Sequence, residues 1–309
     1  MDKKSIFEKK GVMIATAMFC CLLWGSAFPT IKLSYGALGE MDSFQRILLA
    51  GLRFALAGAF VLAFAKLKLK SKLVPPRREW PLLLAVALLQ TFGSYVLYYI
   101  GMVNTSGVKG SIIVTLSVFL VAVFAHFMFK TDRLSWKKGA GLLCGFAGVV
   151  VVNISLLGGE TFSFSMQGEG LIVLHCVLGA AATVLVRKYG GSMDIVRVSG
   201  GQLVTGGLML IAVGYAGNSR GLVFNTEAAL LLVYMAALSA VAFTLWFVML
   251  KFHKATMLEQ YKFAIPLFGA LLSVLLVPGE HIGLEALAAA ALVTVGVWIV
   301  NREEKRISE

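Results

Sequence analysis

Ten apolar runs of about 20 residues follow one another along the 309-residue chain, and few architectures tolerate that pattern. They cover roughly 12–36, 44–65, 80–101, 107–129, 137–157, 168–188, 195–216, 228–250, 257–278 and 282–300, parted by short basic, Gly-rich or Pro-rich breaks. Each run is long enough to cross a bilayer as a helix. The runs are continuous rather than alternating, which excludes a barrel whose strands would face lipid and lumen by turns. A soluble body is excluded too. Hydrophobic residues are 59% and charged residues 14% of the chain, against about 45–50% and about 25% in ordinary globular proteins, so too little polar surface remains to meet water. The sequence predicts an all-α polytopic membrane protein with ten transmembrane helices.

Charge sets the expected orientation. The net charge of +12 would suggest nucleic acid as a partner of a soluble protein. Here 22 of the 28 Lys and Arg residues lie in the N-terminal tail, the C-terminal tail and the breaks after spans 2, 4, 6 and 8. The remaining six are Lys32, Arg46, Arg53, Lys109, Arg220 and Lys262, and the segments around Glu160 and Glu280 carry none. That asymmetry predicts a plasma-membrane protein with both termini in the cytoplasm, which requires an even number of helices. The basic start and the apolar run to about Leu33 exceed a signal-peptide core of about 7–15 residues and read as a retained first helix. Cys20, Cys21, Cys144 and Cys176 fall inside apolar runs without metal-ligand spacing, as small packing residues do.

The chain also repeats itself. A shift of 148 residues superposes Tyr95 on Phe243, Tyr98 on Trp246, Tyr99 on Phe247, Asp132 on Glu280, Gly148 on Gly296 and Asn153 on Asn301. A shift of 154 aligns Gly25 with Gly179, Ala27 with Ala181 and Tyr35 with Tyr189. Two five-helix halves result, 12–157 and 168–301, flanked by cytoplasmic tails 1–11 and 302–309. Five is odd, so the second half is expected to enter the membrane inverted relative to the first, which is the architecture of alternating access.

Several segments resemble a known family. Trp24-Gly25-Ser26-Ala27-Phe28, Leu52-Arg53-Phe54, Thr105-Ser106-Gly107-Val108-Lys109-Gly110, Ile265-Pro266-Leu267 and Pro278-Gly279-Glu280 look like the two EamA repeats of the drug/metabolite transporter superfamily, over residues 12 to 301. The chain departs from that pattern with Val118 where the family often has Pro in span 4, and with Asp132 in place of the usual Glu. The resemblance implies a bacterial-type plasma-membrane carrier of small metabolites and supplies an Arg at position 53 without making it a ligand.

Ionisable groups inside a span cost about 2.5–3.5 kcal/mol at the helix centre and call for a reason. Lys262 lies one turn after Glu259 and one turn before Pro266. Two kinds of reading stand: a self-neutralising pair with Lys262 snorkelling to the interface, or a functional one in which Lys262 meets an anionic group of the cargo or Glu259 exchanges a proton. Lys109 opens span 4 on the opposite side, as a cargo contact or a snorkelling lysine. Arg53 is expected to pair with backbone carbonyls. In span 3, Gln90, Ser94 and Tyr98 recur at i, i+4, i+8 beside Tyr95, a polar aromatic face that should look inward. Phe243, Trp246 and Phe247 repeat the aromatics in span 8, as a cavity wall or an interfacial belt. Trp24 shares a face of span 1 with Phe28 and Lys32, and Pro29 frees a carbonyl there.

The candidate cargo contacts are therefore Trp24, Gln90, Ser94, Tyr95, Tyr98, Lys109, Trp246 and Lys262, with Glu259 for coupling and Pro29 and Pro266 as hinges. His126 and His175 read as hydrogen-bonded to neighbouring helices. Gly141 and Gly145 read as close packing within a monomer, with a dimer seam as the alternative. No phosphate-binding loop, no H-E-x-x-H and no Cys/His cluster occurs, so no enzyme, cofactor or metal is expected. The expected partners are a small-molecule substrate and the bilayer, not nucleic acid. The expected function is secondary active transport of small polar or amphipathic metabolites, an amino acid or a related organic solute. The alternatives are a multidrug exporter of the same fold and, from another class, a non-transporting scaffold or sensor.

Overall fold

A computed structural model of the chain describes residues 6–105, 107–153, 164–217, 221–276 and 284–308, and among them there are helices and no strands. The helices are α1 Lys10–Leu38, α2 Ser43–Leu67, α3 Trp80–Gly101, α4 in two pieces, Gly107–Val114 and Leu116–Met128, and α5 Trp136–Asn153. Then come α6 Leu171–Tyr189, α7 Ile195–Gly217, α8 Thr226–Phe252, α9 Ala255–Leu276 and α10 Glu285–Ser308. Among the described residues nine are long and apolar enough to cross a membrane; α5 lies outside that set, opening on Lys137 and Lys138 and closing on Asn153. Pro278-Gly279-Glu280, Ser106, Arg220 and the segment around Glu160 lie outside the described residues, and of Gly107 and Val108 only the backbone is described.

Local chemistry explains where several helices start and bend. Asp42 and Gln45 form a capping box at α2: the Asp42 carboxylate accepts the Gln45 N–H at 2.8 Å, and the Gln45 side chain accepts the Asp42 N–H at 3.1 Å. Asp42→Ala is expected to lower stability by about 1 kcal/mol, read as a shift of the thermal unfolding midpoint. Asn225 caps α8 in the same way, accepting the Ala228 N–H at 2.7 Å. A π-helical stretch, Ala87–Gly93, interrupts α3. Thr115 interrupts α4, its hydroxyl bonding the Ile112 carbonyl at 2.6 Å. In α9 a 3₁₀ turn, Gln260–Phe263, precedes Pro266, which then sits in the first turn of the Ala264–Leu276 segment, where a missing N–H costs little. Both α4 and α9 thus break at matching places, one through a threonine and the other ahead of a proline.

Several of the main helix contacts recur when each helix is exchanged with the one five places on. α2 packs on α7 and α5 on α10; α1 packs on α8 and α9, while α6 packs on α3 and α4. The loops fall on two faces. On one, Arg197 reaches Ser71, Lys72 and Glu79, Arg187 bonds the Leu250 and Lys251 carbonyls, Asp132 accepts the Thr256 N–H, and His253 bonds the Phe7 carbonyl. On the other, Asn225 bonds the Ala37 carbonyl, Gln45 bonds that of Gly221, and Thr105 donates to Glu169. The first face carries most of the described Lys and Arg residues.

Small residues let the helices close up. A Cβ at Gly58 would stand 2.5 Å from the Val204 nitrogen, and one at Gly51 2.7 Å from that of Ile211. Gly141, Gly145 and Gly148 take Val300, Phe263 and Val293 against their bare faces, so the small-residue face of α5 is occupied inside the chain. The four cysteines are free, and Cys20, Cys21 and Cys176 are buried.

Candidate functional site

Six helices converge on a column of aromatic rings with an ion pair at one end. The pair is local to α9: a helical turn followed by a 3₁₀ turn places Glu259 and Lys262 side by side, with Nζ to Oε2 at 2.8 Å. Glu259 is fully buried, and its second oxygen accepts the Trp246 indole N–H from α8 at 3.0 Å. The Lys262 ammonium lies over two indole faces, 5.0 Å from the Trp246 centroid and 5.5 Å from that of Trp24 on α1. A cation over an indole face is attracted by the ring quadrupole, by about 0.5–1 kcal/mol at an exposed site and about 2 kcal/mol when desolvated. Lys262 therefore points into the protein rather than snorkelling outward, and about a fifth of its side chain remains exposed.

From the indoles the rings continue without a gap. Trp24 meets Trp246 at 5.1 Å and Phe243 at 5.6 Å; Phe243 meets Phe54 of α2 at 6.0 Å; Phe54 meets Tyr95 of α3 at 4.5 Å. Tyr95 and Tyr98 then flank His175 of α6 at 6.1 and 5.2 Å. These are edge-on or tilted contacts, the favourable geometry for ring quadrupoles. His175 Nδ1 lies 2.6 Å from the Ser94 hydroxyl and 3.0 Å from its carbonyl oxygen, so it is tied to the neighbouring helix α3. Phe243, Trp246 and Phe247 are buried, which is the placement of an inner wall and not of a lipid-facing belt.

Trp24, Trp246, Glu259 and Lys262 are thus gathered at one end of the column, and Ser94, Tyr95 and Tyr98 at the other. Gln90 sits in the π-helical stretch with its side-chain oxygen buried and without a hydrogen-bond partner. Lys109 stands apart, at the start of α4 near Glu169. Pro29 lies within an unbroken α1, where the Thr30 hydroxyl bonds the Ser26 carbonyl at 2.8 Å. Gly25 stands four residues before Pro29, and a Cβ there would meet Phe268 at 2.6 Å, so α1 and α9 run nearly backbone to backbone.

Two expectations need correction. Arg53 is buried and donates from Nε to the Ser239 hydroxyl at 2.7 Å rather than to a backbone carbonyl; Ser239 passes its own proton to the Met235 carbonyl at 2.7 Å, so the hydroxyl oxygen is left free to accept. His126 accepts the Leu134 N–H from the loop after its own helix, not a group on a neighbouring one. Phe54 was not among the expected contacts, although a signal existed. Residues 51, 54 and 58 share one helical face, so the glycines that bring α2 against α7 also turn Phe54 inward. Among the described residues no cluster of His, Cys, Asp and Glu could hold a metal.

Comparison with known proteins agrees with this architecture. The model of the EamA-like transporter family matches residues 11–154 and 166–302. The chain is 28% identical over 297 residues to the uncharacterized transporter YvbV of Bacillus subtilis, covering 93% of this chain and 90% of that one. It is 25% identical over 290 residues to the inner membrane transporter YedA of Escherichia coli, covering 90% and 85%. A WAT1-related chloroplastic protein of Arabidopsis thaliana is 27% identical over 290 residues, covering 91% and 67%. A solved crystal structure superposes with a TM-score of 0.80 at 23% identity, covering 97% of this chain and all of that one, and speaks for the fold alone.

Proposed function

The chain belongs to the EamA-like transporter family and is a multi-pass membrane transporter; from that premise we propose that it is a secondary carrier of small polar or amphipathic metabolites, an amino acid or a related organic solute, working by alternating access across the plasma membrane. The observation that carries the reading is the Glu259–Lys262 pair at the foot of the aromatic column, between helices of both halves. A folded core gains nothing from a buried ion pair that an apolar pair of the same volume would not supply, because desolvation consumes most of the Coulombic attraction. A binding site does gain, since it needs a charge that cargo can reach and rings against which the rest of the cargo can lie.

The main helix contacts support two halves that can rock against each other: α1 on α8 and α9 answers to α6 on α3 and α4, and α6 starts on the face where α1 ends. Such a pair has two near-equivalent packings, each opening the middle to one side. The basic face is the cytoplasmic one by the positive-inside rule, with both termini there. The column and its ion pair take the place of the candidate cargo contacts, with Lys109 at the opposite mouth.

The test is binding. Purified protein is screened by thermal shift against amino acids, organic acids, amines and cationic dyes, and cargo that prefers the folded carrier raises the unfolding midpoint. A metabolite is expected to give the shift, Tyr98→Ala and the double variant Lys262→Met with Glu259→Gln to remove it, and reconstituted protein to move the same compound. A shift that both variants keep would place the site elsewhere. Reconstituted protein that moves no compound of the panel, with or without a proton gradient, would sink the carrier reading.

A further inference from the structure

The Glu259 carboxylate rests on two partners. Its oxygens are held by the neutral Trp246 indole at 3.0 Å and by the Lys262 ammonium at 2.8 Å, and the group is fully buried. The elements packed around it bring other titratable groups, each engaged elsewhere. Cys20 and Cys21 of α1 bond the Ala242 and Tyr261 carbonyls, and His126 of α4 accepts from Leu134. On α6, His175 is tied to Ser94, Cys176 bonds the Ile113 carbonyl, and Arg187 bonds the end of α8. Tyr261 of α9 accepts from Asn301 of α10; Asp132 pairs with Lys138, and Glu303 of α10 with Lys137. Lys251 lies in the last turn of α8 and Lys254 precedes α9. The cation that pairs with the Glu259 carboxylate is Lys262.

Lys262 keeps about a fifth of its side chain exposed, and an ammonium has three donors, which its ion pair with Glu259 does not exhaust. A second carboxylate reaching it would leave two anions on one cation between two indole rings. That net charge has to be cancelled, because an uncompensated buried ion costs far more than a neutral acid. The fully buried carboxylate is the one that takes the proton.

Resting on the carrier reading above, we infer that Lys262 anchors a carboxylate of the cargo, and that its engagement there loads one proton on Glu259, so that carboxylate and proton cross together. The charges balance at each stage. The empty site holds one ammonium and one carboxylate, net zero. The loaded site holds the ammonium, the cargo carboxylate and a neutral Glu259, again net zero, the proton having come from water on the open side. When cargo leaves, Lys262 returns to Glu259 and the proton is released to water on the side then open. The cargo's apolar remainder lies against Trp24, Trp246 and Phe243, which favours aromatic or branched aliphatic acids over small dicarboxylates.

The experiment uses the full chain in proteoliposomes with a trapped pH dye. The labelled probes are phenylpropionate and 4-methylpentanoate, acids without an amino group, each beside the amine of the same skeleton, phenethylamine or isoamylamine, and entry into protein-free liposomes is subtracted throughout. Carboxylates are expected to enter with about one proton each, and the amines not to enter. Glu259→Gln keeps carboxylate binding by thermal shift and loses the proton, the ratio falling from about one to zero. Lys262→Met alone leaves a buried lone carboxylate and is prone to misfold, so Lys262→Met with Glu259→Gln is the variant to use; it is expected to fold and to lose carboxylate binding at least tenfold. Carboxylate entry without proton uptake by the unmodified protein, equal entry of the amines, or carboxylate uptake by the double variant would overturn the inference while leaving a carrier standing. Entry of neutral or cationic solutes with no carboxylate among them would do the same. A panel that stays wholly outside would overturn the carrier reading and this inference with it.

Discussion

Arg197→Met is expected to lower the stability of the folded chain by about 3–5 kcal/mol, the cost of leaving a buried charge without its partner. Glu79 is fully buried where the loop after α2 enters α3. Both its oxygens are held by Arg197 of α7, Nε to Oε2 at 2.8 Å and Nη2 to Oε1 at 2.8 Å, the bidentate fork that a planar guanidinium makes with a carboxylate. The Asp194 N–H adds a third bond at 3.2 Å, and Arg197 Nη1 fastens the Ser71 hydroxyl and the Lys72 carbonyl. Methionine fills the volume and returns none of this. The double variant Glu79→Gln with Arg197→Met removes the stranded charge and is expected to recover more than half the loss, measured by unfolding in mixed micelles. A single variant as stable as the parent would show that the network contributes nothing to the fold. The network ties the loop after α2 and the start of α3 to α7 on the basic face and includes none of the column's rings, so residual folded protein should bind cargo normally.

Hydropathy carried most of the fold. Each of the ten runs became a helix, because a backbone in hydrocarbon must satisfy its own hydrogen bonds and a helix does so within one segment. The irregular stretches were less legible. The π-helical turn at Ala87–Gly93 has no proline to announce it, and it inserts a residue's worth of twist between Gln90 and Ser94 that a spacing of four does not reveal. Thr115 breaks α4 where Val118 replaces the helix-bending proline, through a side-chain hydrogen bond that any mid-helix threonine is free to make or not.

The site was legible in part. Glu259 and Lys262 stand out in sequence because charges are scarce in the spans, and their spacing of three puts them together on any helical backbone. Trp24 and Trp246 were named for their faces, but their meeting over one ammonium needs α1, α8 and α9 at once, which no local pattern encodes. Arg53 reads as a charge in search of carbonyls; its actual partner, Ser239, is a small residue on a distant helix with nothing to mark it out. Lys109 and Lys262 both look like lysines at the ends of a pore, and nothing in the local pattern tells that the second meets two indole rings.

Gly207→Leu is expected to abolish assembly of the folded chain, and Gly207→Ala to weaken it severely. The α2–α7 seam is the most intimate in the molecule: a Cβ built at Gly207 falls onto the Ala55 backbone nitrogen and stands 2.9 Å from the Gly51 carbonyl oxygen. Neighbouring positions repeat the arrangement, with Gly58 facing the Val204 nitrogen at 2.5 Å and Gly214 facing Leu48 at 2.7 Å. Backbone cannot swing aside as a flexible side chain does, so even one methyl must push two long helices apart, beyond the usual overpacking cost of about 1–3 kcal/mol. In lipid no hydrophobic force restores the contact once it opens, since tails solvate an apolar helix as well as another helix does. Gly179→Ala on α6 is the control: nothing lies within 4 Å of its Cβ, and replacing a mid-helix glycine there should raise stability by about 0.5–1 kcal/mol. The yield of monodisperse protein and its unfolding midpoint read both changes. On the proposed rocking of the halves, a Gly207→Ala protein that still folds carries its strain in the α2–α7 seam between them, and it should lose transport rate before it loses cargo binding. Full folding and transport by Gly207→Leu would mean that this seam is looser than its backbone contacts imply.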